Sequence, residues 1–206
     1  MLKRGNLMNT ATIKKQSRWM QILSSLDDLG FLTTSQIQRL HNLGSRRNTH
    51  RILTDMGKAL HSFRLDESVY YLSASGRRMI NSKKVRRKTL TAPHTILRNE
   101  VYIWARPRLW KQEQAIKWQG KALVPDALYQ KNEQYFFLEV DSTQSMTVNR
   151  QKINLYRELR DSGLFQKRFG QFPTIQFVTT TEYRRKVLRA AIDGLKAEVL
   201  LHSELK

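Results

Sequence analysis

Three short runs in the second half of the chain carry side chains suited to holding a divalent cation: Pro125-Asp126, Glu139-Val140-Asp141 and, further on, Lys152. The segments around the two acidic runs read as strands. Side chains alternate along a strand, so Glu139 and Asp141 share one face, and Asp126 joins them from the neighbouring strand. Three converging carboxylates repel one another unless a cation lies between them, and Mg²⁺ held by a few carboxylates and water is the usual resolution. Asp126, Glu139 and Asp141 are therefore the candidate metal ligands. In the plainer alternative, the two aspartates merely end strands and Glu139 pairs with an arginine. Lys152 adds a second tension. Val148, Leu155, Tyr156 and Leu159 cluster on one side of its helix, with Lys152 in the middle of that side. A lysine so placed either snorkels to the rim or meets a carboxylate.

A second set of residues lies in the first half. Ser45 is placed to cap a helix over residues 46–58. At about 100° per residue, Thr49, Ile52, Leu53 and Met56 fall on one face. Arg47, Arg51, Thr54 and Lys58 fall opposite, Asn48 and His50 lie on the flanks, and Arg46 opens the helix. Such a helix packs with one side and offers cations and hydrogen-bonding groups with the other, as entry into a DNA major groove requires. Arginine pairs bidentately with guanine, and an asparagine such as Asn48 with adenine. The competing reading is an ordinary solvated helix face.

Three short helices position that face. Trp19, Ile22, Leu23, Leu26 and Leu29 recur at helical spacing from Arg18, and Gly30 ends the first helix. Thr33 with Gln36 forms a capping box, Leu32 and Ile37 its hydrophobic staple, and a short second helix ends near Gly44. After the third helix, Leu60–Leu65 and Val69–Leu72 read as a hairpin around Asp66-Glu67-Ser68, with Tyr70 or Tyr71 packing it onto the helices. Another short helix starts at Ser73, and five cations follow within residues 83–88. The pattern predicts a winged helix-turn-helix over residues 15–82, a basic linker over 83–92 that tracks phosphate, and a second domain over 93–206. In that domain Pro93 suits the first turn of a helix running to about Arg106. Strands are predicted over 113–118, 123–130 and 134–141, a helix over 148–161, a strand over 174–179 and a final helix over 183–201. The fold class is α+β overall, with a mixed α/β layer in the second domain.

Charge supports a polyanionic partner. The 206 residues carry 37 Lys and Arg against 17 Asp and Glu, a net charge of +20. Eighteen of the basic side chains but only five of the acidic ones lie in residues 1–90. A counter-charged partner would relieve this self-repulsion. No apolar run reaches the roughly 18 residues of a membrane span. The first residues lack the apolar core of a secretory leader, and there is no cysteine to form a disulfide or thiolate site. A cytoplasmic protein that does not engage membranes is expected.

The second half resembles the PD-(D/E)XK nuclease-like fold through Glu100 on its leading helix, Pro125-Asp126 and Glu139-Val140-Asp141. The resemblance implies that Glu100, Asp126 and Glu139 would be catalytic. Asp141 stands where that motif has its lysine, and Lys152 is placed as a migrated lysine would be. Over residues 18–195 the chain also resembles the replication-relaxation family of plasmid and mobile-element proteins, through YYLSASGRRMI, APHTILRNEV, VPDALY, FFLEVDS and KINLYREL. That implies a role in DNA replication or relaxation beside a relaxase or a replication initiator. The leading expectation is a non-catalytic accessory or regulatory factor that binds double-stranded DNA and needs no cofactor to do so. The alternatives are a Mg²⁺-dependent endonuclease or nickase and a transcriptional repressor. A homodimer on a palindromic site is compatible with each, and no heptad seam fixes the oligomeric state.

Overall fold

The computed structural model describes residues 10–142 and 144–205; the start of the chain, where no leader is expected, lies mostly outside them. The chain divides into two compact units, Met1–Ile96 and Leu97–Lys206. It is a mixed α+β protein.

The first unit opens with α1 (Thr10–Leu29), which buries Ile22, Leu23, Leu26 and Leu29 along one stripe. Gly30, at φ 85°, turns the chain out of the helix. The two-residue strand β1 (Leu32–Thr33) leads into α2 (Thr34–Leu40). The capping box forms as the sequence predicts: Thr33 Oγ1 accepts from the Gln36 amide at 3.2 Å, and Gln36 Oε1 accepts from the Thr33 amide at 3.1 Å. The Gln36 amide nitrogen also donates to the Ile96 carbonyl at 2.8 Å, so one buried side chain satisfies two backbone groups. Next come α3 (Arg46–Met56), capped by Ser45, and the antiparallel pair β2 (Leu60–Arg64) and β3 (Ser68–Leu72). β1 adds to the other edge of β3, giving the order β1-β3-β2. Of the two tyrosines, Tyr71 joins Phe31 and Phe63, with ring centroids 5.6 and 6.1 Å away.

Ser73 caps α4 (Ala74–Met79). The basic segment that follows has no regular structure, but it is fastened to the first unit. Ser82 bonds to Asp27, Lys84 pairs with Asp27 and Asp28 at 3.2 and 3.6 Å, and Lys88 lies over the Phe63 ring. The unit border falls later than the sequence pattern suggests, inside α5 (Ala92–Ala105).

In the second unit a five-stranded sheet has the order β10-β9-β8-β7-β4, formed by β4 (Leu109–Gln112), β7 (Ala127–Lys131), β8 (Gln134–Asp141), β9 (Thr174–Thr179) and β10 (Ala197–Leu201). A separate small hairpin is made by β5 (Ile116–Trp118) and β6 (Lys121–Leu123). β8 to β10 run parallel, whereas β7 is antiparallel to both β8 and β4. β8 is buried on both faces at its centre. Phe137 packs with Ile153, Tyr156 and Leu159 of α6 (Met146–Asp161) and with Phe165 of α7 (Leu164–Phe169). Leu138 and Val140 turn the other way, toward Leu97 and Val101 of α5.

Three expectations need correction. The strand predicted over 113–118 begins only at β5 (Ile116–Trp118), because Glu113 adopts φ 50° and interrupts the extended run, and β4 (Leu109–Gln112) lies before it, where no strand was expected. The short α7 falls between Gly163 and Gly170, both left-handed, where no element was expected. The final helix predicted over 183–201 ends early. α8 (Glu182–Ala191) stops before Gly194, at φ 76°, and Ala197–Leu201 becomes an edge strand in register with β9. The parallel partner on β9 decides that outcome, and a linear helical pattern does not reveal it.

Gly76 illustrates how tightly the first unit is packed. A Cβ there would lie 2.2 Å from the Ala59 carbonyl oxygen. Replacing a helical glycine by alanine ordinarily stabilises by about 1 kcal/mol. Gly76→Ala is expected instead to destabilise by roughly 1–3 kcal/mol through forced backbone displacement, read as a lower urea midpoint.

Candidate functional site

The surface of α3 follows from what its other side buries. Thr49, Ile52, Leu53 and Met56 are in the core, which leaves Arg46, Arg47, His50, Arg51, Thr54 and Asp55 exposed; the helix predicted over 46–58 ends at Met56, where Gly57 at φ 43° turns the chain, so the exposed Lys58 lies just past it. Arg46 is the least free of the cations. Its guanidinium lies 3.7 Å from Glu67 in the β2–β3 turn, and the same carboxylate accepts from the amide and hydroxyl of Ser35 at 3.0 and 2.5 Å. Glu67 thus ties the hairpin turn to the start of α2, where the positive end of the helix dipole favours an anion. Asn48 is partly engaged. Its Nδ2 donates to the Leu43 carbonyl at 2.8 Å and its Oδ1 accepts from Arg51 at 3.0 Å. These bonds take one N–H and one lone pair of the amide, and one of each remains. Asn48 holds the α2–α3 turn and fixes one arm of Arg51.

The second unit brings three of its four sequence-predicted acids, Asp126, Glu139 and Asp141, to one region. β7 and β8 place Ala127 opposite Leu138, so Asp126 falls beside Glu139. Asp126 Oδ2 accepts from the Val140 amide at 2.6 Å. Glu139 is 3% exposed; one of its oxygens meets Lys152 Nζ, and the other accepts from the Tyr156 hydroxyl at 2.5 Å. Lys152 therefore does meet a carboxylate. Burial pushes Glu139 up to about 8, against the pull of the Lys152 ammonium and the Tyr156 hydroxyl and with a further push from Asp126. The Tyr156 hydroxyl is raised well above its ordinary value, by burial first and then by Glu139.

Asp141, 1% exposed, is held differently. Arg184 donates to it from Nε at 2.7 Å and from Nη2 at 2.5 Å, Asn149 Nδ2 donates at 2.7 Å, and Thr179 Oγ1 donates at 3.2 Å. Glu100 is buried on α5, the helix that covers the face of β8 opposite Glu139. The sequence reading missed Arg184. Its place in the first turn of α8 is only mildly unfavourable for a cation, and the carboxylate that it meets lies 43 residues away.

These residues do not fit a divalent cation. Both oxygens of Glu139 and both oxygens of Asp141 are already engaged by donors, two of them cationic. Among the described residues, no group of three or more Asp, Glu, His or Cys side chains lies placed to hold a metal. Lys152 and Arg184 supply the positive charge that the sequence pattern assigned to Mg²⁺.

A pair of helices with an exposed cationic face in one unit, and a mixed sheet carrying a neutralised acidic cluster in the other, define the class: a two-unit α+β protein. Residues 23–175 match the sequence pattern described as replication-relaxation, and the chain belongs to that family. Among curated proteins none matches. Among solved structures, protein VC1899 from Vibrio cholerae is similar at 12% identity, with a TM-score of 0.39, over 91% of this chain and 49% of that one. The chain thus spans about half the length of that structure.

The two neutralised carboxylates lead to separable expectations. Glu139 has a folded pKa above its ordinary value of 4.5, so its contribution to stability is complete below about pH 4.5 and is lost as pH rises through about 8. Across that window, wild-type stability should fall relative to Glu139→Gln, as measured by urea unfolding at a series of pH values. Arg184→Ala leaves Asp141 buried without its cation and should cost about 3–5 kcal/mol.

Proposed function

We propose that this chain is a DNA-binding accessory protein of a plasmid or other mobile element, acting in DNA replication or relaxation. In this reading residues 15–82 form a winged helix-turn-helix, with α2 and α3 as the paired helices and β2–β3 as the wing. α3 enters the major groove of double-stranded DNA. Leu97–Lys206 is a PD-(D/E)XK-like scaffold in which internal cations replace the metal, and it serves backbone or partner contacts without cleavage. A relaxase or a replication initiator is the kind of partner implied, and a homodimer would suit a palindromic site.

The observation that carries the reading is the solvent-facing set Arg47, His50, Arg51 and Thr54 of α3, with Lys58 in the turn just past it, backed by the buried set on the same helix. Arg47 and Arg51 lie one turn apart and remain exposed, so both guanidinium groups can reach base edges from a single groove. Membership of the replication-relaxation family supports the replication setting. No helix among the described residues is long and apolar enough to cross a membrane.

The test is a mobility shift on a duplex recovered by selection from a randomised pool. Arg47→Ala/Arg51→Ala should weaken binding by about 30-fold or more, since two base-reading arginines at about 1–3 kcal/mol each are lost. Asp126→Ala/Glu139→Ala, provided it folds, should bind normally. Supercoiled plasmid should stay intact with the wild-type protein and Mg²⁺ or Mn²⁺. Equal affinity for every duplex, or a shift unaffected by the arginine changes, would defeat the reading.

A further inference from the structure

The first twelve residues of α1, from Thr10 to Gln21, bury nothing; all are exposed except the half-buried Trp19. A helix of three turns is marginal in water without tertiary support. Here it continues from the packed part of α1, and a non-local contact fastens it. Lys15 Nζ lies 3.1 Å from Asp55 Oδ2 and 5.2 Å from the centroid of the Trp19 ring. Asp55 is on α3, one turn beyond Arg51 on the same flank, and it is the acidic side chain of that helix. Lys15 therefore does two things at once. It cancels the negative charge that would oppose phosphate beside Arg51, and it sets the basic half of α1 alongside the exposed face of α3. Lys14 and Arg18, four residues apart, both lie to one side of Lys15 around the helix. Both are exposed. Residues before 23 also lie outside the stretch that matches the family.

We infer that this exposed half of α1 is a second nucleic-acid contact, in which Lys14 and Arg18 bind the phosphates that border the groove entered by α3. The inference rests on the α3 reading above. The geometry selects phosphate over bases. The Lys15–Asp55 pair joins the two helices through extended side chains and the exposed half of α1 buries nothing against α3, so their axes stand no closer than the about 8–10 Å of packed helices, whereas the major groove is about 12 Å wide. With α3 centred in the groove, a helix at least that far to the side stands over or beyond its edge, at the sugar-phosphate ridge. Charge complementarity specifies the occupant, a duplex backbone. Contacts of this kind raise affinity and its salt dependence without altering which sequence is preferred.

The experiment measures binding of the full chain to the selected duplex and to a scrambled duplex by fluorescence anisotropy, over about 50 to 200 mM salt. It compares wild type with Lys14→Ala/Arg18→Ala, with the charge-reversed Lys14→Glu/Arg18→Glu, and with Arg47→Ala/Arg51→Ala. Loss of two phosphate contacts should make the slope of log K against log salt shallower by about 1.8. The wild-type advantage at the low end should then be about twelve times that at the high end. The ratio between the two duplexes should be unchanged, and charge reversal should deepen the loss. An unchanged slope in the Lys14/Arg18 variants, while the Arg47/Arg51 variant loses binding, overturns this inference and leaves the α3 reading standing. A changed sequence preference overturns it as well, because the arm would then be reading bases. If the Arg47/Arg51 variant binds as wild type, the α3 reading fails, and this inference fails with it. Both residues are exposed and precede the buried stripe of α1, and circular dichroism with thermal melting should confirm an unchanged fold.

Discussion

A helix held against a core by one side must present its other side to something else, and the functional reading depends on that constraint acting at α3. Thr49, Ile52, Leu53 and Met56 fix the rotation of the helix about its own axis. Burying an aliphatic side chain stabilises by about 1.5–3 kcal/mol, so a rotation that hid Arg47 and Arg51 would expose Ile52 and Leu53 at a cost of several kcal/mol. The capping interactions add precision along the axis. Ser45 sets where α3 begins, and the Asn48 bond to Leu43 sets how tightly it follows α2. The orientation of the cations is thus a consequence of apolar packing and capping, and does not depend on contacts made by the cations themselves.

The second unit answers a different constraint. Glu139 and Asp141 sit on the same buried face of a central strand, and a buried carboxylate is costly unless it is protonated or paired. A divalent cation is one way to meet that cost. This sheet meets it with Lys152 and Tyr156 at one carboxylate and with Arg184, Asn149 and Thr179 at the other. The two solutions demand different rigidity. A cation site must leave oxygens free for metal and solvent, whereas fully donated oxygens lock β8, α6 and α8 into one arrangement. The acids of this cluster therefore contribute to a unique packing of the second unit, in the manner of a satisfied buried polar network.

Much of this was legible in the sequence because much of it is local. The stripe of α1, the Thr33–Gln36 capping box, the Ser45 cap, the two faces of α3 and the limits of β8 and β9 all depend on residues within a few positions of one another. The lysine at the centre of the α6 stripe left two outcomes open, the rim or a carboxylate, and it meets the carboxylate of Glu139. What escaped depends on distant partners. β10 is a strand because β9 offers it a parallel edge, and β4 because β7 offers it an antiparallel one. Arg184 reaches Asp141 from 43 residues away. The bond from Asn48 to the Leu43 carbonyl could not be placed before the α2–α3 turn was known.

The large positive charge acquires a more specific meaning once the ion pairs are placed. Lys15–Asp55, Lys84–Asp27, Arg46–Glu67, Lys121–Glu158, Arg185–Glu204 and the two buried pairs consume many of the acidic side chains. The exposed members of that set add little to stability. Their larger effect is electrostatic: each acid cancelled near a basic face removes a local opposing field, so the remaining cations act together. Around α3 the acids Asp55 and Glu67 are both paired, whereas Arg47, Arg51 and Lys58 point to solvent. A surface arranged in that way attracts a polyanion over several ångströms and loses that attraction as salt rises. Net charge of the same size spread evenly over both units would keep the protein soluble but would not direct it to a groove.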